Sequence, residues 1–436
     1  MDRDRSKFWP LLGAVLLAVM VRVPVAAWRV DSLGDDRDHY RLLADGLIEG
    51  NGLVHPDHGT PTAYRPPLYP LVLAAVAWTT GAGDLGVAAL HLALGLATVA
   101  GTWLVAVRLG LGRRAWLPAV AVAVDPLLVV GATLPMTETL FAALATWMLA
   151  LTTSRLSVTR GLVAGILFGL AALCRPSVWA FAVLVVVALG IRWLRKTGAG
   201  HGPTDRMVVA VTLAGAALTV SPWLVRNLAV SGTPVLTTTH GGYTLLLGNN
   251  PVFYEQVVRQ PLGTTWNDTS SDAGRRPTEW RKHLETRMPA APRGIDAERQ
   301  RDTFMYRLAV ANITHDPPGF ARACLLRVLR FWTPWPLESA PGSAWPALIK
   351  WCVAAWYATV LAAMLVGIWR APWRANSGWH APLLFLLALS LVHVAFWSTM
   401  RMRAPIMPVV FLLATVGTWT PTVKADTLDD APPEGY

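Results

Sequence analysis

The chain has 436 residues, of which 53% are hydrophobic and only 15% charged, and it carries a formal net charge of +11. A water-soluble domain is nearer a quarter charged, so this chain lacks the polar side chains to cover a solvated surface. The basic balance does not read as nucleic-acid binding, because no basic block with interleaved aromatics stands apart from a hydrophobic segment.

The first apolar run, 8–28, follows Arg3, Arg5 and Lys7. It is longer than a signal-peptide core and lacks a small-residue cleavage pattern, so it is expected to be a retained first helix. Further runs long enough to cross about 30 Å of hydrocarbon as helices fall at 84–107, 115–134, 137–153, 161–177, 178–194, 207–227, 346–369, 379–398 and 404–420. The fold class expected is therefore an all-α polytopic membrane protein with about ten transmembrane helices. The 21 Trp residues suit helix ends at the lipid–water boundary.

The run 68–82 is short and opens on Arg65-Pro66-Pro67, and it decides the orientation of everything after it. If it does not cross, the basic loops Arg108/Arg113/Arg114, Arg155/Arg160, Arg192/Arg195/Lys196/Arg206 and Arg370/Arg374 all fall on the cytoplasmic side; if it crosses, they fall outside, against the positive-inside bias. The non-crossing reading leaves a first external loop, 29–83, and a second external segment, 228–345. The organisation expected is an N-terminal transmembrane module, 1–227, that external segment, C-terminal transmembrane helices, 346–420, and an acidic, Pro-containing disordered tail, 421–436. Within the second segment, helical spacing from Arg299 to Trp332 predicts two helices interrupted at His315-Asp316-Pro317-Pro318.

The chemistry-bearing residues sit at the outer side. Asp35, Asp36 and Asp38 precede a predicted amphipathic helix over 40–47, where acids are also favourable simply as charges at a helix N-terminus. Glu138, in Pro135-Met136-Thr137-Glu138, is either a first-turn charge at the water interface or an intramembrane carboxylate with a function. Arg65, Arg175, Arg226, Arg401 and Arg403 lie where positive charge is disfavoured. They suit bidentate binding of a phosphate, or else snorkel to lipid headgroups. His55 and His58 are separated by Pro56 and read as loop residues rather than metal ligands, while Asp36-x-Asp38 leaves a divalent metal open as a cofactor. Cys174, Cys324 and Cys352 show no CxxC spacing and are expected to pack.

Taken in order, several short motifs resemble one family. They are Asp36 with Tyr40; Gly50-Asn51-Gly52; Pro61-Thr62-Ala63-Tyr64-Arg65-Pro66-Pro67-Leu68-Tyr69-Pro70; Thr137-Glu138-Thr139-Leu140-Phe141; and Arg175-Pro176. They continue as Pro222-Trp223 with Arg226-Asn227; Gly241-Gly242-Tyr243 leading to Gly248-Asn249-Asn250-Pro251; Phe331-Trp332-Thr333-Pro334-Trp335-Pro336; and Arg401-Met402-Arg403-Ala404-Pro405. Together these resemble the GT-C glycosyltransferases, in the bacterial branch related to protein O-mannosyltransferases and to the transferases that add aminoarabinose to lipid A.

The resemblance implies inverting transfer of a sugar from a polyprenyl-phosphate donor to a glycan, lipid or protein acceptor on the outer face of the plasma membrane. It implies Asp36 as general base, with Asp35 and Asp38 competing for that role, and Glu138 as a second acid. Arg65, Arg401 and Arg403 would be partners of the donor phosphate. Two other readings of the chain are a transporter or flippase for a lipid-linked sugar, and a family member without catalysis.

Overall fold

The computed structural model describes residues 2–81, 83–153, 157–194, 203–264, 266, 276–289, 293–336 and 347–418. The tail expected to be disordered, 421–436, lies outside the described residues. All regular structure among them is helical, apart from an isolated antiparallel bridge between Val54 and Pro61.

The N-terminal part comprises α1 (Asp2–Trp28), α2 (Tyr40–Ile48), α3 (Leu68–Thr80), α4 (Asp84–Arg108), α5 (Trp116–Val124), α6 (Pro126–Gly131), α7 (Glu138–Thr152), α8 (Val158–Cys174), α9 (Trp179–Leu194) and α10 (Pro203–Ser231). There follow α11 (Gly241–Gly248), α12 (Pro251–Phe253), α13 (Arg276–Arg287), α14 (Ile295–His315) and α15 (Pro317–Trp332), and the chain returns through α16 (Ala347–Arg370), α17 (His380–Ala395) and α18 (Met407–Thr418). Six of the described helices are long and apolar enough to cross a membrane, and α3, α7, α8 and the 176–191 segment are shorter apolar helices. This is a multi-pass, all-α membrane protein.

Three X-Pro steps shape the bundle, because a proline disfavours the helical region for its predecessor and removes a backbone donor. The expected span 115–134 is not one helix. It breaks at Asp125-Pro126, where Asp125 is extended and its carboxylate caps α6 by accepting the Leu128 N–H at 3.0 Å. Arg175-Pro176 ends α8 with Arg175 extended, and Asp316-Pro317 separates α14 from α15 where the sequence predicts the break. Each break leaves a charged side chain off the helix axis. The run at 68–82 forms the 13-residue α3, which at 1.5 Å per residue is about 20 Å long, short of the hydrocarbon thickness.

Small residues set the close helix contacts, as expected where lipid supplies no hydrophobic drive between helices. Gly161, Gly165 and Gly169 of α8 face α10 so tightly that a Cβ on Gly165 would lie 2.0 Å from the Thr212 carbonyl oxygen. Gly367 and Gly417 do the same for α16 and α18. Helix α18 is buried along almost its whole length, at the centre of the main core.

A second hydrophobic cluster joins Leu246, Phe253, Tyr254, Trp266, Trp280, Met305 and Ala323 from α11 to α15. Arg327 ties this cluster to the bundle. Fully buried, it donates to the carbonyl oxygens of Gly248 and Val394, each at 2.6 Å.

Candidate active site

The loop between α1 and α2 delivers the acids. A 3-10 turn over Val30–Gly34 leads into Asp35–His39, and His39 takes a left-handed conformation (φ 61°) that a non-glycine residue rarely adopts. That reversal folds the start of α2 back over Asp36. Asp36 Oδ2 accepts the backbone N–H groups of Arg41 at 2.8 Å and Leu42 at 3.0 Å, while Oδ1 is shielded from solvent and has no hydrogen-bond partner. Burial pushes the Asp36 carboxyl above its ordinary range, against the pull of those N–H donors.

Its two neighbours are differently placed. Asp35 pairs with Arg37 at 2.5 Å in an exposed position, and Asp38 is held by Arg65, whose Nη2 donates to Asp38 Oδ1 at 2.7 Å. Of the three acids, only Asp36 keeps a shielded oxygen without a partner.

Glu138 opens α7, but it is not a solvated cap: it is 4% exposed, and Thr137 makes no side-chain cap. Its Oε1 lies 3.2 Å from Arg175 Nη1 and 3.2 Å from Arg401 Nε. Arg175 reaches it from the extended residue before Pro176, and Arg401 from a 3-10 turn over Met400–Ile406. Two cations on one carboxylate leave a net positive charge there, and the shared anion fixes the orientation of both guanidinium groups.

Two tyrosines connect these centres. The rings of Tyr40 and Tyr69 meet edge to face at 5.2 Å, and the Tyr69 hydroxyl lies 2.9 Å from His91 Nε2, whose Nδ1 is 2.8 Å from the Ala132 carbonyl. Tyr69 stands within electrostatic reach of both Asp36 and Glu138, and Tyr40 within reach of both Arg65 and Arg175. Arg65 stacks over Tyr40 and Tyr64 at 5.6 and 4.9 Å. The fold thus gathers Asp36, Asp38, Tyr40, Arg65, Glu138, Arg175 and Arg401 around one locus.

Other residues singled out in the sequence lie in different surroundings. Arg226 donates to the carbonyls of Thr62 and Leu53, each at 2.8 Å, and stacks on Trp223, so it straps the first loop to α10. Asn249 bonds the Leu245 and Ala395 carbonyls, and Asn250 caps α12 by accepting the Phe253 N–H at 2.8 Å. Arg403 is fully buried and donates from Nη1 to the carbonyls of Phe331 and Thr333. His55 and His58 stack at 4.1 Å, and among the described residues no group of three His, Cys, Asp or Glu side chains converges as a metal site.

Several structural residues escaped the sequence reading. Glu298 accepts from Thr62 Oγ1 at 2.5 Å, the Ala63 N–H at 3.0 Å and Thr239 Oγ1 at 2.9 Å, which fixes the end of the first loop next to Arg65. Asp302, one turn further along α14, accepts the Gly242 N–H at 2.6 Å, and burial raises its carboxyl to about 6. Their i, i+4 spacing on one helix face was the available signal. Arg22 lies inside the first span and donates to the Val122 and Leu128 carbonyls at 2.8 and 3.2 Å. A cation in the middle of an apolar run was the clue there.

No family model matches the chain, and no curated protein matches it by sequence. Among solved structures it is similar to the oligosaccharyltransferase of Archaeoglobus fulgidus in its apo form, at 16% identity and a TM-score of 0.55, over 94% of this chain and 50% of that one. The same enzyme tethered to an acceptor peptide containing the NVT sequon gives a TM-score of 0.52, at 16% identity over 94% of this chain and 49% of that one. The chain therefore spans about half the length of the oligosaccharyltransferase it matches. ArnT from Cupriavidus metallidurans superposes more loosely, at a TM-score of 0.44 and 15% identity over 93% of this chain and 77% of that one, below the level at which a shared fold can be argued. This chain has the fold seen in the Archaeoglobus fulgidus oligosaccharyltransferase.

Proposed function

We propose that the protein is an inverting glycosyltransferase that moves a sugar from a polyprenyl-phosphate donor to an acceptor hydroxyl, working on the outer face of the plasma membrane. The observation that carries this reading is the pairing of a half-held Asp36 carboxylate with two arginines that share Glu138, Tyr69 standing within electrostatic reach of both carboxylates. An acceptor O–H gives its proton to Asp36 Oδ1 while its oxygen attacks the anomeric carbon from the face opposite the phosphate. The sugar–phosphate C–O bond breaks, and polyprenyl phosphate leaves as an anion. Arg175 and Arg401 stabilise that leaving charge in a water-poor site, where fixed cations count for most. A single carboxylate on the acceptor side suffices for inversion. Arg65 holds Asp38 away from Asp36 and places a further cation at the edge of the site.

The outer-face orientation rests on the basic loops after α4, α7, α9 and α16 and on the short α3. The test is transfer in proteoliposomes supplied with radiolabelled polyprenyl-phosphate hexoses and pentoses, together with cysteine labelling across 35–60. Release of polyprenyl phosphate that disappears in Asp36→Asn supports the reading. Transfer that survives the substitution, or labelling of 35–60 from the cytoplasmic side, overturns it.

A further inference from the structure

We propose that Arg403 is a positioning residue for this reaction: it acts on the donor through Arg401 and does not touch the phosphate. The inference rests on the transferase reading. Arg403 belongs to the same 3-10 turn as Arg401, Met400–Ile406, but points into the bundle while Arg401 meets Glu138. Two parts of the chain meet its guanidinium, and a third is reached through one of them. Nη1 donates to Phe331 O at 3.0 Å and Thr333 O at 3.1 Å, at the end of α15. Its plane lies over the Tyr357 ring of α16 at 4.7 Å and near Trp332 at 6.0 Å. The Tyr357 hydroxyl in turn donates to Asp125 Oδ2 at 2.9 Å and accepts the Leu127 N–H at 3.0 Å, at the α5–α6 break.

The site is closed. Arg403 has no exposed surface, and its Nε and Nη2 are enclosed without hydrogen-bond partners. A guanidinium held in apolar surroundings, with its nearest opposite charge, Asp125, beyond a tyrosine hydroxyl, is expensive to keep there. Its gain is geometric. It pins the turn that carries Arg401 to the helix end of the external unit and to a buried break in the bundle. A side chain that fixes its neighbour in this way matters for rate, since a shift of about 1 Å in a charged group can cost about 100-fold in turnover.

The test is a double-mutant cycle in full-length protein in proteoliposomes, read as kcat/KM for a polyprenyl-phosphate sugar. Arg403→Met removes the carbonyl bonds without leaving a buried unpaired cation, and it should lower kcat/KM by at least about tenfold. Arg401→Ala should lower it further, and the double variant should match Arg401→Ala within about twofold, because the two residues act as one. Arg403→Lys, which keeps a donor for the two carbonyls, should recover most of the loss. Should Arg403→Met not fold, Arg403→Gln, which is neutral and too short to bridge both carbonyls, takes its place in the cycle with Arg401→Ala.

Additive losses mean that Arg403 meets the donor itself, and wild-type rates in Arg403→Met mean that it positions nothing; either result overturns the proposal. A second measurement does not depend on activity. Hydrogen exchange of peptides covering 399–407 should rise in Arg403→Met and return toward wild type in Arg403→Lys while peptides of α8 and α10 stay unchanged, and unaltered exchange at 399–407 in Arg403→Met also overturns it. If the wild-type protein transfers no sugar, the transferase reading fails by itself and this measurement still decides the role of Arg403.

Discussion

Asp36 and Arg41 stand five residues apart in sequence, and the backbone N–H of Arg41 donates to Asp36 Oδ2 at 2.8 Å. The bond closes the acidic loop onto the first turn of α2 and leaves the other carboxylate oxygen, Oδ1, without a partner. In the proposed role of base, a carboxylate held by one oxygen, with the other enclosed and unpaired, is pre-organised, so little reorganisation remains at the moment of proton transfer. Asp36→Asn keeps the cap, because the amide oxygen can still accept the Arg41 and Leu42 N–H groups, but it removes the base. Turnover should fall about 10²- to 10⁴-fold, with folding and donor binding retained. Single-turnover transfer and donor-lipid binding, measured on the same preparation, check this.

The pH profile should follow from the same carboxyl. Burial raises its pKa above the ordinary carboxylate range, so the proposed base is lost to protonation at a higher pH than an exposed aspartate would be. kcat/KM should decline on acidification with an apparent pKa above the ordinary aspartate value of about 3.9. The sign for stability is opposite. A raised folded-state pKa means that the protonated form is favoured on folding, a contribution present at low pH and lost as pH rises through the folded value. An acid limb at the ordinary aspartate value, unchanged in Asp36→Glu, would remove Asp36 from the profile.

Much of the local structure around these residues was legible in the sequence, and the reason is local. Acids before an amphipathic segment, a proline after Arg175 and a proline after Asp316 each act within a few residues. The α2 helix, the extended Arg175 and the α14–α15 break follow from them. What was not legible depends on distant backbone. Glu298 is 235 residues from the Ala63 N–H that it accepts, and nothing in the composition of α14 names that partner. The arginines show the same limit. Position relative to the membrane groups Arg65, Arg175, Arg226, Arg401 and Arg403 together, whereas carbonyl oxygens of remote segments, visible only in the fold, set Arg226 and Arg403 apart. The span at 115–134 failed as a single helix for a related reason. Hydropathy does not register that Asp125-Pro126 breaks the helix when Tyr357 is available to satisfy the freed polar groups.

Glu138 carries two guanidinium groups, so its loss should be felt twice. Glu138→Ala leaves Arg175 and Arg401 without their shared anion in a buried setting, and removing one partner of such an arrangement costs about 3–5 kcal/mol. The variant should unfold at a distinctly lower temperature in detergent and should bind donor lipid poorly, because the two cations repel and lose their alignment. Glu138→Gln keeps the shape but not the charge and should fall between. A Glu138→Ala protein with wild-type thermal stability would show that the arginines are oriented by something else.

Asp302 offers a test outside the bundle. Its carboxylate accepts the Gly242 N–H at the start of α11, and burial raises its pKa to about 6. Because that value exceeds the unfolded one, Asp302 favours folding when protonated, and its contribution is lost as pH rises through about 6. Asp302→Asn keeps the acceptor oxygen and removes the charge. It should therefore be neutral to stabilising above pH 7, and it should flatten the pH dependence of unfolding between about 4 and 6. Thermal unfolding of both proteins across that window checks it; a loss of stability at pH 8 would mean that the charge itself supports α11.

The contact between α8 and α10 makes the strictest packing prediction. A Cβ on Gly165 would sit 2.0 Å from the Thr212 carbonyl oxygen and 3.1 Å from the Ala216 nitrogen, both backbone atoms that no rotamer change can move aside. Gly165→Ala must therefore push the two helices apart along the face that Gly161 and Gly169 also keep close. Overpacking of this kind costs about 1–3 kcal/mol, and Gly165→Leu should cost more. By contrast, Gly13 has open space around its Cβ direction, so Gly13→Ala tests the effect of a methyl on a helix without a clash. Thermal unfolding in one detergent should separate the two alanine variants clearly. Since α8 ends at Arg175, the displacement should also reach the site: Gly165→Ala should weaken donor binding while Gly13→Ala leaves it unchanged. Equal stability of the two variants would mean that the helices do not meet as closely as these distances require.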